Sequence, residues 1–295
     1  MRIEENSQHQ SFQDLKKLVV QNAVKSMLYE VTVTPKPGLV DPQSSGPHPD
    51  MDAFNFIDSA LSLEFYFNSS FIAGWRFEED DYQTLFNQIR ELGIAAEKTM
   101  FSATNGINTH KGAVFSLGVV VAASAVNLSG ETFDTRKVLE CVKLMLQGLV
   151  EKDFKGVRSK ELSELTAGER QYLLYGETGI RGEAEQGYPT VIEHALPFLM
   201  QSKGTTDQRL LDTLMTIVAS SNDSNLIKRA GNNKIVEWAH QQAQEFLDLG
   251  GSLTRSGMAK LLELNQTFYD RNLSLGGSAD LLIVTIFFGL MQGTL

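Results

Sequence analysis

The sequence predicts an all-α protein, a compact multi-helix single domain covering residues 1–295. Apolar residues recur at spacings of three and four along almost the whole chain, which is the period of an amphipathic helix. Hydrophobic residues make up 42% of the chain, enough for a sizeable core. No low-complexity segment, internal repeat or long linker interrupts the sequence, so nothing in it indicates a domain boundary.

The first expected helices are amphipathic. Ser11 precedes the first run of helically spaced apolar residues, and serine is a favoured N-cap, so a helix is expected to begin after it. A second helix is expected from near Asp50 and a third over 85–96. Val31 and Val33 alternate with threonines, but this alternation ends at Pro35 and is too short to indicate a strand.

The later helices include the most apolar part of the chain. Residues 112–125 are apolar on nearly every side and rich in small residues, which predicts a central, closely packed helix. Pro189 suits a first helical turn, whereas Pro197 should kink or shorten the helix that contains it. Further helices are expected over 135–150, 160–174, 189–202, 206–220, 233–249, 254–270 and 278–292.

Composition excludes several classes of function. The chain has 26 basic and 36 acidic residues, a net charge of −10, which argues against nucleic acid or an anionic membrane as the main partner. The single cysteine, Cys141, excludes a disulfide framework and a cysteine-based zinc site. The N-terminus lacks the apolar stretch of a signal peptide, and the apolar segment 279–291 is shorter than the roughly 20 residues that span a bilayer. We therefore expect a cytoplasmic protein.

Polar connections rich in glycine and proline join these helices, and we expect them to form the active site. In the first, Lys36 lies between two prolines, and a rigid loop that holds a cation suits phosphate binding. Asp50 and Asp52, with Asp41 and His48 nearby, would suit Mg²⁺, which prefers a few carboxylates, water and phosphate. Taken singly, Asp50 is more simply an N-cap and His48 a solvated loop residue.

The second connection, 104–112, leads directly into the most buried expected helix. Backbone N–H groups at such a helix start can bind an anion, Lys111 adds positive charge, and His110 is suited to moving a proton. The spacing is not that of a P-loop. A well-capped helix whose loop satisfies His110 is an equally good interpretation.

The third connection, 175–189, has several glycines and several charges. Arg181 offers a planar fork for phosphate, and Glu177, Glu183 and Glu185 could contact a metal or a hydroxyl group. The alternative is a flexible surface loop with compensating ion pairs. The density of glycine favours a functional loop.

The fourth connection, 274–280, precedes the last apolar helix. An Asp inside that apolar run should be paired or should bind a ligand, because burying a lone charge is costly. The simpler interpretation makes Ser278 an N-cap with Asp280 completing the first turn. Asp223 also fits a cap.

Together these connections resemble one enzyme family. The stretches concerned are 34–41 (TPKPGLVD), 48–52 (HPDMD), 105 with 109–112 (N and THKG), 181–184 with 187–189 (RGEA and GYP), and 275–280 (LGGSAD). In this order, over nearly the whole chain, they are similar to the triphosphoribosyl-dephospho-coenzyme A synthase family. The resemblance implies an all-helical fold, ATP as donor, 3′-dephospho-CoA as acceptor and adenine as leaving group.

The resemblance also implies a pathway and partners. The product would be the precursor of the prosthetic group of the citrate lyase acyl carrier protein, and a close relative in the family serves malonate decarboxylase. Mg²⁺ is expected with ATP, and the transferase that loads the acyl carrier protein is a further expected partner. Which pathway is served and how many subunits assemble stay open.

Such a reaction needs a base for the attacking 2′-hydroxyl, an acid for adenine and negative charge near ribose C1′. The inferred site residues are Glu183, His110 and Asp41 for catalysis; Lys36, Lys111, Arg181, Asn105, His48, Gly276, Gly277 and Ser278 for substrate binding; and Asp50 and Asp52 for metal. Two alternatives are a metal-dependent N-glycosidase acting on a nucleotide or ADP-ribose, and a non-catalytic helical module that binds the carrier protein or lyase.

Overall fold

The computed structural model describes the backbone of residues 2–130 and 132–295 and the side chains from Ser11 onward, except that of Glu131. The fold is all-α, as predicted, and the described residues include no strand. The helices are α1 (Arg2–Thr32), α2 (Ala53–Ser62), α3 (Glu64–Trp75), α4 (Tyr82–Ala103), α5 (Lys111–Gly130), α6 (Thr135–Leu146), α7 (Leu149–Asp153), α8 (Ala167–Tyr175), α9 (Gly179–Glu185), α10 (Leu196–Gln201), α11 (Thr206–Ser220), α12 (Ser224–Ala230), α13 (Lys234–Asp248), α14 (Arg255–Asp270) and α15 (Gly276–Met291).

Helix α5 is the centre of the fold. It packs against α1, α3, α4, α6, α9 and α15, and the buried apolar side chains form one continuous cluster around it. Close packing depends on small residues, since a Cβ at Gly118 would collide with the Tyr66 hydroxyl and one at Gly74 with the Ala122 carbonyl. By length and composition α5 could cross a membrane, but 72% of its most apolar window is buried inside the protein, as expected of a core helix.

Several helix boundaries differ from the predicted ones. Helix α1 begins at Arg2 rather than after Ser11, and five of the residues before Ser11 (Arg2, Glu4, Glu5, Gln8 and Gln10) are good helix formers. Val31 belongs to the last turn of α1. The helix expected from 160 begins at Ala167, where Thr166 and Glu169 form a capping box. The one expected over 135–150 ends at Leu146, before the left-handed Gly148.

The segment around Pro197 shows how the chain accommodates a proline inside a helical run. Residues Thr190–Ala195 form a π-helical segment that continues directly into α10, with Pro197 in the first turn of α10. Proline lacks an N–H group and its ring clashes with the carbonyl four residues earlier, so a widened turn before it relieves both problems. The expected distortion is therefore present without a break in the helix.

Three short helices were not predicted, of which the first, α7, begins at Leu149 directly after Gly148. Helix α9 occupies the middle of the third polar connection, which the glycine content had indicated as a loop. Helix α12 follows Asp223, which caps it as expected by accepting hydrogen bonds from the Asn225 and Leu226 N–H groups. Two 3₁₀ turns, Val157–Ser159 and Gly251–Leu253, complete the helical structure of the described residues.

Candidate active site

Two cavities meet at the first turn of α5, where Lys111 and Gly112 line both. The first, of about 170 Å³, lies between the end of α1, the 34–52 loop and the starts of α5 and α15. Its polar lining includes Glu30, His48, Asn108, Thr109, His110, Asn225 and Asp280, and we call it the acidic cavity. The second, of about 400 Å³, lies among α4, α5 and α9 and is called the apolar cavity.

Asp280 is the most perturbed acid of the acidic cavity. Its carboxylate lies against the start of α5, where it accepts a hydrogen bond from the Ala113 N–H group. A Cβ at Gly112 would collide with this carboxylate, so only glycine permits the contact. Burial, and then the nearby negative charges of Asp223 and Glu30, raise the pKa of Asp280 well above its ordinary value. Asp280 therefore keeps its proton to a higher pH than an exposed aspartate.

Glu30 differs from Asp280 because it has a cation beside it. The Lys36 ammonium lies 2.5 Å from Glu30 Oε1 and 2.6 Å from the Glu30 carbonyl oxygen, and both side chains are almost completely buried. The two prolines around Lys36 do hold it rigidly, but they hold it in this ion pair and not at a free surface. The cavity thus contains one compensated carboxylate and one uncompensated carboxyl group.

His110 has one ring nitrogen without a partner. Nδ1 lies 2.7 Å from the Ser59 hydroxyl, whereas Nε2 is buried and has no hydrogen bond, and the same is true of Thr109 Oγ1 beside it. Burial, followed by the charge of Lys36, lowers the pKa of His110 to about 3, so the imidazole is neutral at physiological pH. Buried polar atoms are rarely left unpaired, so two in one cavity wall indicate a polar ligand.

The other residues predicted in the first loop stabilise the loop itself. Asp41 is buried, and its carboxylate accepts hydrogen bonds from the backbone N–H groups of Lys36, Gln43 and Ser44. His48 lines the acidic cavity, where its Nε2 lies 3.3 Å from the Gly38 carbonyl oxygen. The loop thus uses most of the acceptor capacity of Asp41, which lines neither cavity.

The structure does not bring Asp50 and Asp52 together with further potential metal ligands in the residues it describes. Asp50 is exposed and lines neither cavity, and Asp52 is the N-cap of α2 in a reciprocal capping box with Asn55. The helix start predicted near Asp50 therefore exists, but Asp52 caps it. No group of three or more His, Cys, Asp or Glu side chains suited to a metal ion occurs in the part of the chain described.

The predicted phosphate cations Lys111 and Arg181 lie at the apolar cavity. Arg181 is about half exposed and pairs with Asp153 at 2.9 Å, and Arg90 pairs with the other oxygen of the same carboxylate at 3.2 Å. Lys111 is also about half exposed and pairs with Glu97 at 3.0 Å. All five side chains line this cavity. They carry three positive and two negative charges, so the cavity has a net positive rim.

Glu183 and Asn105 line neither cavity. The Glu183 carboxylate accepts a hydrogen bond of 2.5 Å from the Thr190 hydroxyl, and burial raises its pKa. Asn105 is exposed with a φ of 54°, in the left-handed region that asparagine tolerates in tight turns. The geometry gives both residues structural roles. Glu183 joins α9 to the π-helical segment, and Asn105 forms the turn in the loop before α5.

The glycine-rich start of α15 is fixed by Asp223. The buried Asp223 carboxylate accepts hydrogen bonds from the Ser278 N–H at 2.7 Å and the Ser278 hydroxyl at 2.8 Å, so Ser278 is not the N-cap of α15. Gly276 lines the acidic cavity, and a Cβ there would lie 2.7 Å from the Asn225 amide nitrogen. A Cβ at Gly277 would lie 3.1 Å from Asp223. These glycines therefore allow α12 and α15 to approach each other.

Sequence reasoning missed Glu30 and Arg90 and did not assign a role to Asp280. Glu30 has no motif around it, because it occupies the last turn of an ordinary amphipathic helix. Arg90 likewise lies on the outer face of α4. Asp280 did carry a signal, since it is a charged residue inside an apolar run, and its predicted need for a partner or ligand agrees with its position in the cavity.

Comparison with known proteins identifies the family. Residues 16–295 match the family described as ATP:dephospho-CoA triphosphoribosyl transferase. A probable 2-(5''-triphosphoribosyl)-3'-dephosphocoenzyme-A synthase of Lactiplantibacillus plantarum is 58% identical over 95% of this chain and 99% of its own length. One of Streptococcus equi subsp. zooepidemicus is 38% identical over 96% of this chain and 98% of its own length.

A third relative is longer than this chain. The protein CitXG of Leuconostoc mesenteroides subsp. cremoris is 47% identical over 94% of this chain, and the match covers 60% of that relative. No solved structure matches the chain significantly.

Proposed function

The chain belongs to the ATP:dephospho-CoA triphosphoribosyl transferase family, and we propose that it carries out this transfer in the acidic cavity. The observation that supports this location is the pairing, within one small cavity, of a carboxyl group that keeps its proton and an imidazole with a free nitrogen. The bond between ribose C1′ of ATP and adenine breaks, and a bond forms between C1′ and the 2′-oxygen of dephospho-CoA. The 2′-hydroxyl proton and the adenine leaving group must both be handled.

Asp280 is the proposed acid. A carboxyl group whose pKa is raised can donate a proton to a ring nitrogen of the departing adenine, which then leaves as the neutral base. Once ionised, the carboxylate faces the positive charge that develops at C1′ and stabilises it. The Ala113 N–H group at the start of α5 favours this ionised form. Asp280 thus takes the acid role, for which the sequence interpretation offered Glu183 or His110.

His110 is the proposed acceptor of the 2′-hydroxyl proton, through Nε2. In a displacement with oxocarbenium character the nucleophile becomes strongly acidic only as it attacks, so a weak, neutral base in the correct position is sufficient. Ser59 fixes the ring through Nδ1, and Phe56 packs edge-on against it at 5.0 Å between ring centres. Transfer of this proton back to Asp280 through solvent restores the starting state.

Mg²⁺ remains a prediction, and Asp50 and Asp52 do not fit it. We propose that the ion arrives as part of the ATP–Mg²⁺ substrate, bound by the triphosphate. The triphosphate is not the leaving group in this reaction, so its binding positions the ribose of ATP and does not polarise the bond that breaks. Arg229 is an exposed cation at the rim of the acidic cavity, with a guanidinium nitrogen 3.4 Å from His48 Nδ1, and is a candidate phosphate contact.

The test is a reaction of the purified protein with ATP, Mg²⁺ and dephospho-CoA, followed by chromatography with mass detection. We expect free adenine and a triphosphoribosyl adduct of dephospho-CoA in equal amounts. Adenine release that does not require dephospho-CoA would support the N-glycosidase alternative instead. Absence of both products from folded protein would contradict the proposal.

The biological setting is proposed on the resemblance. The adduct would serve as the precursor of the citrate lyase prosthetic group, with the malonate decarboxylase pathway as the alternative. A cytoplasmic location and an encounter with the transferase that loads the acyl carrier protein follow from that setting. Deleting the gene and measuring which acyl carrier protein loses its prosthetic group would distinguish the two pathways.

A further inference from the structure

The lining of the apolar cavity suits a molecule that has hydrocarbon groups at one end and an anionic group beside them. Its interior is formed by side chains such as Ile89, Phe115, Val119 and Leu149. Tyr66 is the polar side chain among them, and its hydroxyl already donates a hydrogen bond to the Val114 carbonyl oxygen at 3.0 Å. The interior therefore offers contact area but no free side-chain hydrogen-bonding group to a ligand.

Gly93 keeps this cavity open. It lies inside α4 with an ordinary helical backbone, and a Cβ there would meet its nearest atom, the Tyr66 hydroxyl, at 3.4 Å, an ordinary contact. Glycine inside a helix costs about 1 kcal/mol relative to alanine, and neither backbone conformation nor crowding requires it here. A larger side chain at this position would occupy the cavity.

We propose that the apolar cavity binds the pantetheine diphosphate part of dephospho-CoA, an inference that rests on the proposed function. Adenine of ATP must contact Asp280 to receive its proton, and Asp280 lines the acidic cavity but not the apolar one. The second cavity is then available to the acceptor. The gem-dimethyl and methylene groups of the pantetheine arm match the apolar walls, whereas its two amides and its hydroxyl must face the open, polar side of the cavity, because burying them unpaired is costly.

The charges at the rim match the middle of the same molecule. The acceptor carries its diphosphate between the pantetheine arm and the adenosine, and Arg90, Arg181 and Lys111 lie between the apolar interior and solvent. Asp153 holds the two guanidinium groups in place before the ligand arrives. Since Lys111 and Gly112 also line the acidic cavity, an acceptor held this way directs its ribose towards the C1′ atom of ATP.

The test compares the Michaelis constants for both substrates in Gly93→Leu, Arg181→Ala and a control. Gly168→Leu is the matched control, because Gly168 is also helical but exposed, with nothing within 4 Å of its Cβ position. We expect Gly93→Leu to raise KM for dephospho-CoA about tenfold or more and to leave KM for ATP within about twofold. Arg181→Ala should raise KM for dephospho-CoA about three- to tenfold, since a half-exposed charge contributes modestly.

A direct probe of the site is 4′-phosphopantetheine, which should inhibit wild type competitively against dephospho-CoA and not against ATP. The inference would be overturned if KM for dephospho-CoA is unchanged in both variants, or if KM for ATP rises instead. The proposed function would still stand in that case, provided that wild type forms the adduct. If wild type forms no adduct, the proposed function itself fails. Should Gly93→Leu not fold, Arg181→Ala and the inhibitor decide the question.

Discussion

Replacing Asp280 by asparagine should lower activity and raise stability at the same time. The substitution keeps the size of the side chain and an oxygen that can accept the Ala113 hydrogen bond, but it removes the proton that adenine needs and the charge that faces C1′. Binding of ATP should change little, because neither lost feature contacts the triphosphate.

The expected loss of turnover is about a thousandfold. General acid catalysis by a positioned carboxyl group contributes roughly 10²–10⁴-fold. Coulomb's law leads to a similar magnitude, since a unit negative charge about 4 Å from a developing positive charge is worth ~4 kcal/mol at an effective dielectric constant of about 20. This energy corresponds to roughly three powers of ten in rate.

The stability effect depends on pH, and its sign follows from the direction of the pKa shift. The folded state keeps the Asp280 proton above the ordinary value of 3.8, so the unfolded state ionises first. Wild-type stability therefore falls as pH rises from about 3.8 towards the folded pKa, by at most about 1.4 kcal/mol for each pH unit. Asparagine cannot ionise, so its stability does not fall in this way. The melting temperature of the variant minus that of wild type should therefore increase as pH rises.

The assay pairs adenine release at saturating substrates with thermal unfolding from pH 4 to pH 8. Asp14→Asn is the control, since Asp14 is exposed on α1 and lines neither cavity. A variant that retains more than about a tenth of wild-type kcat would refute the catalytic role, because such a loss is under ~1.4 kcal/mol. A difference in melting temperature that does not vary with pH would show that Asp280 is not held protonated.

Lys36→Met should lower the free energy of unfolding by about 3–5 kcal/mol, because it leaves the Glu30 carboxylate buried without its cation. Chemical denaturation measures this free energy, and a decrease below about 1 kcal/mol would contradict a stabilising ion pair. Gly112→Ala should reduce kcat at least about a hundredfold by displacing the Asp280 carboxyl, although alanine favours a helix; unchanged turnover would mean that the contact is not needed. Because the pKa of His110 is about 3, protonation of this side chain should not lower the rate between pH 5 and pH 7; an NMR titration in which the His110 imidazole titrates near pH 6.5 would contradict its burial.

Apolar periodicity predicted most of the fold because burial of an apolar stripe determines where most of these helices form. The largest error, α9, has a local cause. Its glycines suggested a loop, but Gly182 lies one turn after the N-cap Thr178, and a Cβ there would collide with the Thr178 side chain, so close packing explains this glycine. The sequence shows both residues but not the side-chain conformation that brings them into contact.

The candidate site was predictable as a set of segments and not as a set of roles. Three of the four polar connections do border the acidic cavity, yet within them burial decides which charges are free. The motif around Lys36 indicated a cation available to phosphate, but its partner Glu30 lies in a helix without a motif. Local sequence reports where polar residues concentrate, whereas pairing across helices decides which of them can meet a substrate.

Asp223 has a consequence for motion in the wall of the acidic cavity. One buried carboxylate accepts hydrogen bonds from the Asn225 and Leu226 N–H groups of α12 and from the N–H and hydroxyl of Ser278 in α15. Neither helix start can then separate from the other without leaving donors unsatisfied in both. The two starts should exchange their amide hydrogens with solvent as a single cooperative unit, so this side of the cavity opens completely or not at all.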